Sequence, residues 1–324
     1  TFGIYRFWAK TRVRQYLWGH TRFYNEHMEY SGTGKELFVS FLIVFFLVLL
    51  PLYIAYFYVN TLIQGGNYVG GGVAYFILVL FTFYLFGVAV YRAFHYKLTR
   101  TIWRGIRGGM RHRGWSYALE YWWRSLLVLL TFGLYSPIST TRLWDRQMRE
   151  ASFGSFGFEA STRAKPLWVP VIAAILSVAI FSGAVFGIFS TITSSQETGG
   201  QPPLALVFLL LGLYFAAFLI FPFLSIWFNA VFYRQAFQNL RYGNVGFTFD
   251  ATLGDWFKYY LVNVLIVAFT FGLGAMVLPF RLWNFMISHL HVEGTLDTTE
   301  LMQSSQQLPS HGEGLADALD IGGI

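Results

Sequence analysis

The sequence contains no cysteine. Disulfides, thiolate metal centres and cysteine nucleophiles are therefore excluded, and nothing in the chain reports on its redox compartment. Charge is scarce too: Asp, Glu, Lys and Arg make up 12% of the 324 residues, against about 25% in an average soluble domain. The seven histidines follow no metal-ligand spacing with carboxylates. No paired carboxylates, nucleophile elbow or phosphate loop occurs; Gly105, Gly108 and Gly109 stand among basic residues without making such a loop. No catalytic residue, metal site or cofactor is expected, and the chain is not read as an enzyme.

What is present is apolar and aromatic. Hydrophobic residues reach 55% and aromatics 20%, with a mean hydropathy of +0.49, which points to lipid as solvent. Four runs, Leu37 to Tyr58, Val73 to Tyr91, Leu167 to Thr191 and Leu204 to Val231, contain no Asp, Glu, Lys, Arg or His. Each has the ~20 residues that a hydrocarbon core of about 30 Å requires. Pro51 and Pro222 fall inside these runs as tolerable kink points. Two further runs, Tyr121 to Tyr135 and Tyr259 to Phe280, are harder to read. The first is interrupted by Arg124 and short, the second is long enough to cross, and they share a motif, Thr131-Phe132-Gly133-Leu134 and Thr270-Phe271-Gly272-Leu273.

Charge placement separates the alternatives, because short cytoplasmic loops collect Lys and Arg. If only the four long runs cross, the outer loops Val59 to Gly72 and Ile192 to Pro203 hold no basic residue, and all 23 Lys and Arg fall on one side. If the two disputed runs cross as well, Arg142, Arg146, Arg149, Arg163, Lys165, Arg234 and Arg241 move outside. Four spans with two re-entrant or interfacial helices are therefore predicted.

Internal repetition organises the chain. Residues Thr1 to Phe38 align without a gap on Thr131 to Trp168, sharing Thr-Phe-Gly, Tyr5 with Tyr135, Arg12 with Arg142 and Lys35 with Lys165. A third copy starts at Thr270, where Arg281-Leu282-Trp283 repeats Arg142-Leu143-Trp144. A second element, Arg22-Phe23, Asn25, Tyr30 and Thr33, recurs as Arg241-Tyr242, Asn244, Phe249 and Thr252. The reading is a first membrane cassette over 1–130, a second over 131–269, a partial third copy over 270–295 and an acidic, unfolded tail over 296–324. In each copy Thr-Phe-Gly closes an apolar helix with glycine as the stop. Gly3, Arg12, Gly133, Arg142, Gly272 and Arg281 are the structural residues of the repeat. A basic, aromatic helix follows, Trp8, Tyr16 and Trp18 with Arg6, Lys10, Arg12 and Arg14, which suits a headgroup belt. After it come alternating aromatic and polar residues that predict small β-hairpins, at Phe23 to Tyr30, Phe153 to Phe158 and Tyr242 to Phe249. The expected fold is an all-α integral membrane protein, a polytopic helical bundle of duplicated cassettes with short interfacial or re-entrant helices and small cytoplasmic hairpins.

The motifs Gly3-Ile4-Tyr5, Phe7-Trp8-Ala9-Lys10, Arg12-Val13-Arg14, Gly32-Thr33-Gly34 and Glu36-Leu37-Phe38, with Trp103-Arg104-Gly105-Ile106-Arg107 and Trp115-Ser116-Tyr117, resemble the YjgN-like family of bacterial membrane proteins, a domain of unknown function numbered 898. The resemblance covers roughly residues 1–294. It implies a bacterial inner (plasma) membrane location and brings no activity, substrate or cofactor; the charge placement above puts the basic linkers, and with them the C-terminal tail, on the cytoplasmic side. Opening on Thr1, inside a motif that follows an apolar helix elsewhere, the chain is expected to lack an N-terminal helix.

The densest charge runs from Arg92 to Arg113. Arg100, Arg104, Arg107 and Arg111 with Trp103 form a candidate lipid or anion site, since basic residues beside a span attract anionic headgroups. Membrane lipids are the expected partners and nucleic acid is not. Gly183 and Gly187 offer a close-packing face, for the bundle or for a homo-oligomer. Glu120 with Arg124 and Asp145 with Arg149, at i and i+4, read as helix-surface pairs. Duplicated cassettes and broken helices favour a small-solute or lipid-handling transporter or pore, with a polar cavity lined by the Thr-Phe-Gly helix ends. The alternative is an anionic-lipid-binding envelope scaffold without transport.

Overall fold

The computed structural model describes residues 4–111, 114–197 and 204–295. Its elements alternate between β-hairpins and helical excursions. Helix α1 (Arg6–Gly19) leads into β1 (Arg22–Phe23) and β2 (Glu26–Tyr30); α2 (Gly34–Val44), a π turn (Phe45–Leu49), α3 (Leu50–Gln64) and α4 (Tyr68–Arg100) then go out and back to β3 (Thr101–Trp103) and β4 (Ile106–Met110). A shorter excursion, α5 (Trp115–Leu130) and α6 (Ser136–Glu150), returns to β5 (Ala151–Phe153) and β6 (Phe156–Ala160). A second long one follows, α7 (Trp168–Glu197) and α8 (Leu204–Gln238), ending in β7 (Leu240–Tyr242) and β8 (Val245–Phe249). A second short one, α9 (Leu253–Phe269) and α10 (Leu278–Ser288), reaches β9 (Leu290–Glu293).

The four apolar runs become helices of 31, 33, 31 and 35 residues, roughly 46 to 52 Å at 1.5 Å per residue, longer than a hydrocarbon core. Their outward faces carry Phe46, Leu47, Tyr53, Phe76, Phe186, Phe215 and Phe218, all exposed. A surface this apolar is stable against lipid and not against water. Pro51, which has no N–H to give, sits two residues past the π turn, where the backbone register has already slipped. Polar caps start the helices: the Thr33 hydroxyl accepts from Glu36 N, the Asn67 side chain from Gly70 N, and Thr252 with Asp255 forms a reciprocal capping box.

The hairpins do not stay separate, and an all-α description is incomplete. Among the described residues nine strands form one antiparallel sheet in sequence order, so β2 pairs with β3, β4 with β5, β6 with β7 and β8 with β9 across the helical excursions. Four of its hairpin turns contain two residues, with positive φ at Tyr24 and Asn25, Arg104 and Gly105, Gly154, and Gly243, the conformation that matches strand twist in tight hairpins. The turns lie at the end of the sheet away from the helices. The sheet curls until its ends meet: the Tyr24 hydroxyl donates to the Gly294 carbonyl at 2.8 Å, and Trp18 stacks on Trp283 at 4.2 Å.

Aromatics fill the inside of the curl. Trp103 and Tyr242 are buried against Phe23, Phe153, Phe156, Phe158 and Phe247. The Trp103 indole N–H donates to the Phe23 carbonyl at 3.0 Å and the Tyr242 hydroxyl to the Phe153 carbonyl at 2.7 Å. Burial pushes the Tyr242 phenol up to about 12.

The expected headgroup belt of α1 is partly interior. Arg14 is 2% exposed and bonds the Tyr30 hydroxyl, while Trp18 is buried and donates to Thr101. These residues are turned inward because α1 packs on β2 and α10 instead of lying alone on a surface.

Candidate functional site

The two Thr-Phe-Gly motifs make the tips of the short helical excursions, and each residue type has a local reason. The Thr131 hydroxyl donates to the Leu127 carbonyl at 2.7 Å and accepts from Tyr135 N at 3.0 Å, bridging the end of α5 to the start of α6. Thr270 repeats this with Ile266 and Gly274, both at 2.6 Å. Gly133 (φ 89°) and Gly272 (φ 91°) take a left-handed conformation that a side chain would resist, and their N–H groups close back on Val128 and Val267. Phe132 and Phe271 project outward, 89% and 97% exposed. Leu129, Leu130, Phe269, Leu273 and Met276 surround them, also exposed. The two tips are the most protruding apolar points of the short excursions.

Below the tips the two hairpins are held differently. In the first, Glu120 bonds Arg124 at 2.7 Å and also Arg146 from α6, which in turn bonds Glu150 at 3.0 Å. The Tyr91 hydroxyl donates to Glu150, and Arg124 reaches the Tyr135 hydroxyl at 2.9 Å. Burial would raise the Glu120 carboxyl, but the hydrogen bonds from Arg146 and Arg124 outweigh it and hold it below the ordinary carboxylate range. Arg146 is held above its ordinary value: burial alone would lower it, and its bonds to Glu120 and Glu150 prevail. Glu120 thus joins its own-helix partner Arg124 to Arg146 of α6, and the pair is part of an inter-helix clamp and not surface decoration. Asp145 likewise departs from its expected pairing with Arg149: it is 4% exposed and accepts from Thr162 N at 2.9 Å.

In the second hairpin the positions 139 residues further on carry Tyr259 for Glu120 and Phe285 for Arg146. Their rings lie 4.8 Å apart, and Phe285 also meets Trp256 at 4.7 Å. Arg281 Nε donates to Asn263 at 2.6 Å. Between α9 and α10 a cleft of about 350 Å³ remains, lined by Asp255, Lys258, Tyr259, Arg281, Asn284 and His289 among others. Neither Lys258 nor Arg281 has a salt-bridge partner among the described residues. The Asp255 carboxyl is held low by the Thr252 hydroxyl and backbone N–H. An apolar groove of about 330 Å³ lies elsewhere, between α3 and α4, lined by Leu47, Pro51, Leu78 and Phe81 among others.

The family model for bacterial proteins of unknown function, DUF898, matches residues 1–318. The chain belongs to this family. The inner membrane protein YjgN of Salmonella typhimurium (strain LT2) is 22% identical over 352 aligned positions, covering 95% of this chain and 86% of that protein. No solved structure matches significantly. The family description brings no activity, and the chemistry of the fold has to be read from its own residues.

Those residues fall differently from the sequence expectation. Arg100, Arg104, Arg107 and Arg111 do not converge on one point. Arg100 lies at the helix end of the sheet and pairs with Glu36 at 3.3 Å. Arg104 is in the β3–β4 turn at the far end and pairs with Glu26 at 3.3 Å. Arg107 lies along β4, and Arg111 follows it with its N–H on the Glu150 carbonyl. Trp103 is 2% exposed, inside the curl, so its ring faces other aromatics and not a headgroup layer. The matched arginines also have unlike surroundings: Arg12 bonds the Tyr5 hydroxyl at 3.2 Å, Arg142 is exposed, and Arg281 reaches Asn263. Gly3 and the 296–324 tail lie outside the described residues. Among the described residues no group of three His, Asp or Glu is placed to hold a metal. The α9–α10 cleft escaped sequence reasoning; its one visible signal was that Arg281 repeats Arg142 while Glu120 has no acidic counterpart.

Proposed function

We propose that this is a multi-pass inner-membrane protein that crosses four times, carries its curled sheet in the cytoplasm, and organises lipid of the cytoplasmic leaflet with its two short helical hairpins. The observation that carries the reading is that each hairpin leaves from one strand and returns to its hydrogen-bonded neighbour, with exposed Phe132 or Phe271 at the tip. Two paired strands share one side of a membrane, so α5–α6 and α9–α10 enter and leave from the same face. The absence of Lys and Arg from both outer loops supports a cytoplasmic sheet. One cassette used twice accounts for the alternation of long and short excursions. The outward direction of the tips favours a lipid-binding scaffold over the pore that the repeats suggested, because neither cleft is lined by a Thr-Phe-Gly residue. No catalytic step belongs to this reading.

Single cysteines in the naturally cysteine-free chain test it. With a membrane-impermeant thiol reagent on intact cells, Tyr68→Cys should label, Ser155→Cys and Asn244→Cys should label only after permeabilisation, and Phe132→Cys should stay protected in both. Labelling at Ser155→Cys in intact cells would sink the proposed topology; labelling at Phe132→Cys from water would sink the leaflet-inserted tip.

A further inference from the structure

The cleft between α9 and α10 is a place where the fold sets two cations against one carboxylate. Lys258 lies near the start of α9 and Arg281, bonded across the hairpin to Asn263, near the start of α10, and both line one cleft of about 350 Å³. Arg281 uses Nε to hold Asn263 at 2.6 Å, which fixes the guanidinium and leaves its two terminal nitrogens as donors. His289 is anchored through Nδ1 on the Phe285 carbonyl at 2.9 Å, which leaves Nε2 on its other edge. The one carboxylate, Asp255, is occupied on Oδ2 by the Thr252 N–H and hydroxyl. Lys258 and Arg281 thus face a single carboxylate, Asp255, among the lining residues described. The corresponding space in α5–α6 holds Glu120 and Arg146, which close on each other.

We infer that this cleft binds the singly charged phosphodiester of a phospholipid headgroup, with Arg281 as the forked donor and Lys258 as the second cation. An arginine fork matches phosphate oxygens in pairs. An excess of cations over carboxylate suits an anionic phosphodiester. The same hairpin ends in exposed Phe269, Phe271, Leu273 and Met276, so a headgroup seated here would leave its acyl chains beside an apolar tip. The inference rests on the proposed placement of the hairpin in the cytoplasmic leaflet, and it moves the lipid contact from Arg100–Arg111 to α9–α10.

Native mass spectrometry of the full chain in detergent, after delipidation and titration with phosphatidylglycerol, reads the site directly. Lys258→Gln with Arg281→Gln should weaken binding of the first lipid by about tenfold or more, the loss expected when charge-assisted contacts to phosphate are removed. Asn284→Asp, which keeps side-chain size and adds a carboxylate to the cleft, should do the same without truncating any packing. Arg104→Gln, at the far end of the sheet, should leave the first binding step unchanged. Soluble glycerophosphoglycerol should compete poorly; competition at equal concentration would overturn the lipid assignment in favour of a free phosphodiester. Unchanged lipid binding in Asn284→Asp and in the double variant would overturn the site. Because the cysteine labelling reads topology alone, failure of the cleft and failure of the hairpin placement give different patterns.

Discussion

The hairpins α5–α6 and α9–α10 have the same turn, the same glycine geometry and the same outward phenylalanine, yet opposite interiors. The first is closed by Glu120, Arg124, Arg146 and Glu150; the second is closed by Trp256, Tyr259 and Phe285 with the Arg281–Asn263 bond, and leaves two cations without a salt-bridge partner beside a cleft. The difference teaches that a helical hairpin in this setting needs a specific contact between its two helices, but the contact can be ionic or aromatic. Where the aromatics hold the helices together, Lys258 has no salt-bridge partner among the described residues and Arg281 is committed to Asn263 through Nε alone.

The largest effect expected from breaking the comparison comes from Glu120→Gln. Glu120 is 18% exposed and faces two arginines, so removing its charge should cost about 2 to 3 kcal/mol of thermal stability in detergent. A change below about 0.5 kcal/mol would reduce the clamp to surface chemistry. Phe285→Ala should cost somewhat less, about 2 kcal/mol, because the ring is only half-buried among Trp256, Tyr259 and His289. Hydrogen exchange should then rise in α9–α10 and not in α5–α6; exchange rising equally in both would show that the hairpins are not independent.

Acid should separate the two interiors further. The folded Glu120 carboxyl is held below its ordinary value, so its stabilising contribution is present above the ordinary glutamate range and is lost as pH falls through the lowered folded value. Melting measured from pH 6 down to pH 3 should therefore fall less steeply in Glu120→Gln than in the parent chain, and parallel curves would refute the assignment. The smallest effect belongs to Thr252→Ala, which removes the capping box of α9 at a cost of about 1 kcal/mol. It should weaken the start of the helix that carries Lys258, while an equal loss in Thr270→Ala would locate the main constraint at the tip.

Much of this was legible beforehand. The four apolar runs predicted the four long helices, which extend past the runs by up to nine residues, α4 and α8 running on through Arg100 and Gln238 because helix continues below the apolar stretch. Three expected hairpins were found as β1–β2, β5–β6 and β7–β8; β3–β4 was hidden by its arginines, since its core residue Trp103 reads as an interfacial ring among cations. What stayed illegible was which charges meet. Glu120 was visible with Arg124 one turn away, but its bond to Arg146 joins positions 26 residues apart across a turn.

The sequence by itself determined the features whose cause is local. Uninterrupted apolar composition makes a lipid-compatible helix, and Thr-Phe-Gly makes its own stop through one hydroxyl and one left-handed glycine. Only the tertiary structure decided that the hairpins fuse into one curled sheet, that Trp103 and Arg14 turn inward, and that one helical hairpin neutralises its arginines while the other leaves a charged cleft. Those outcomes depend on strand edges finding partners and on side chains meeting across helices, and such pairings are set by packing between segments far apart in the chain.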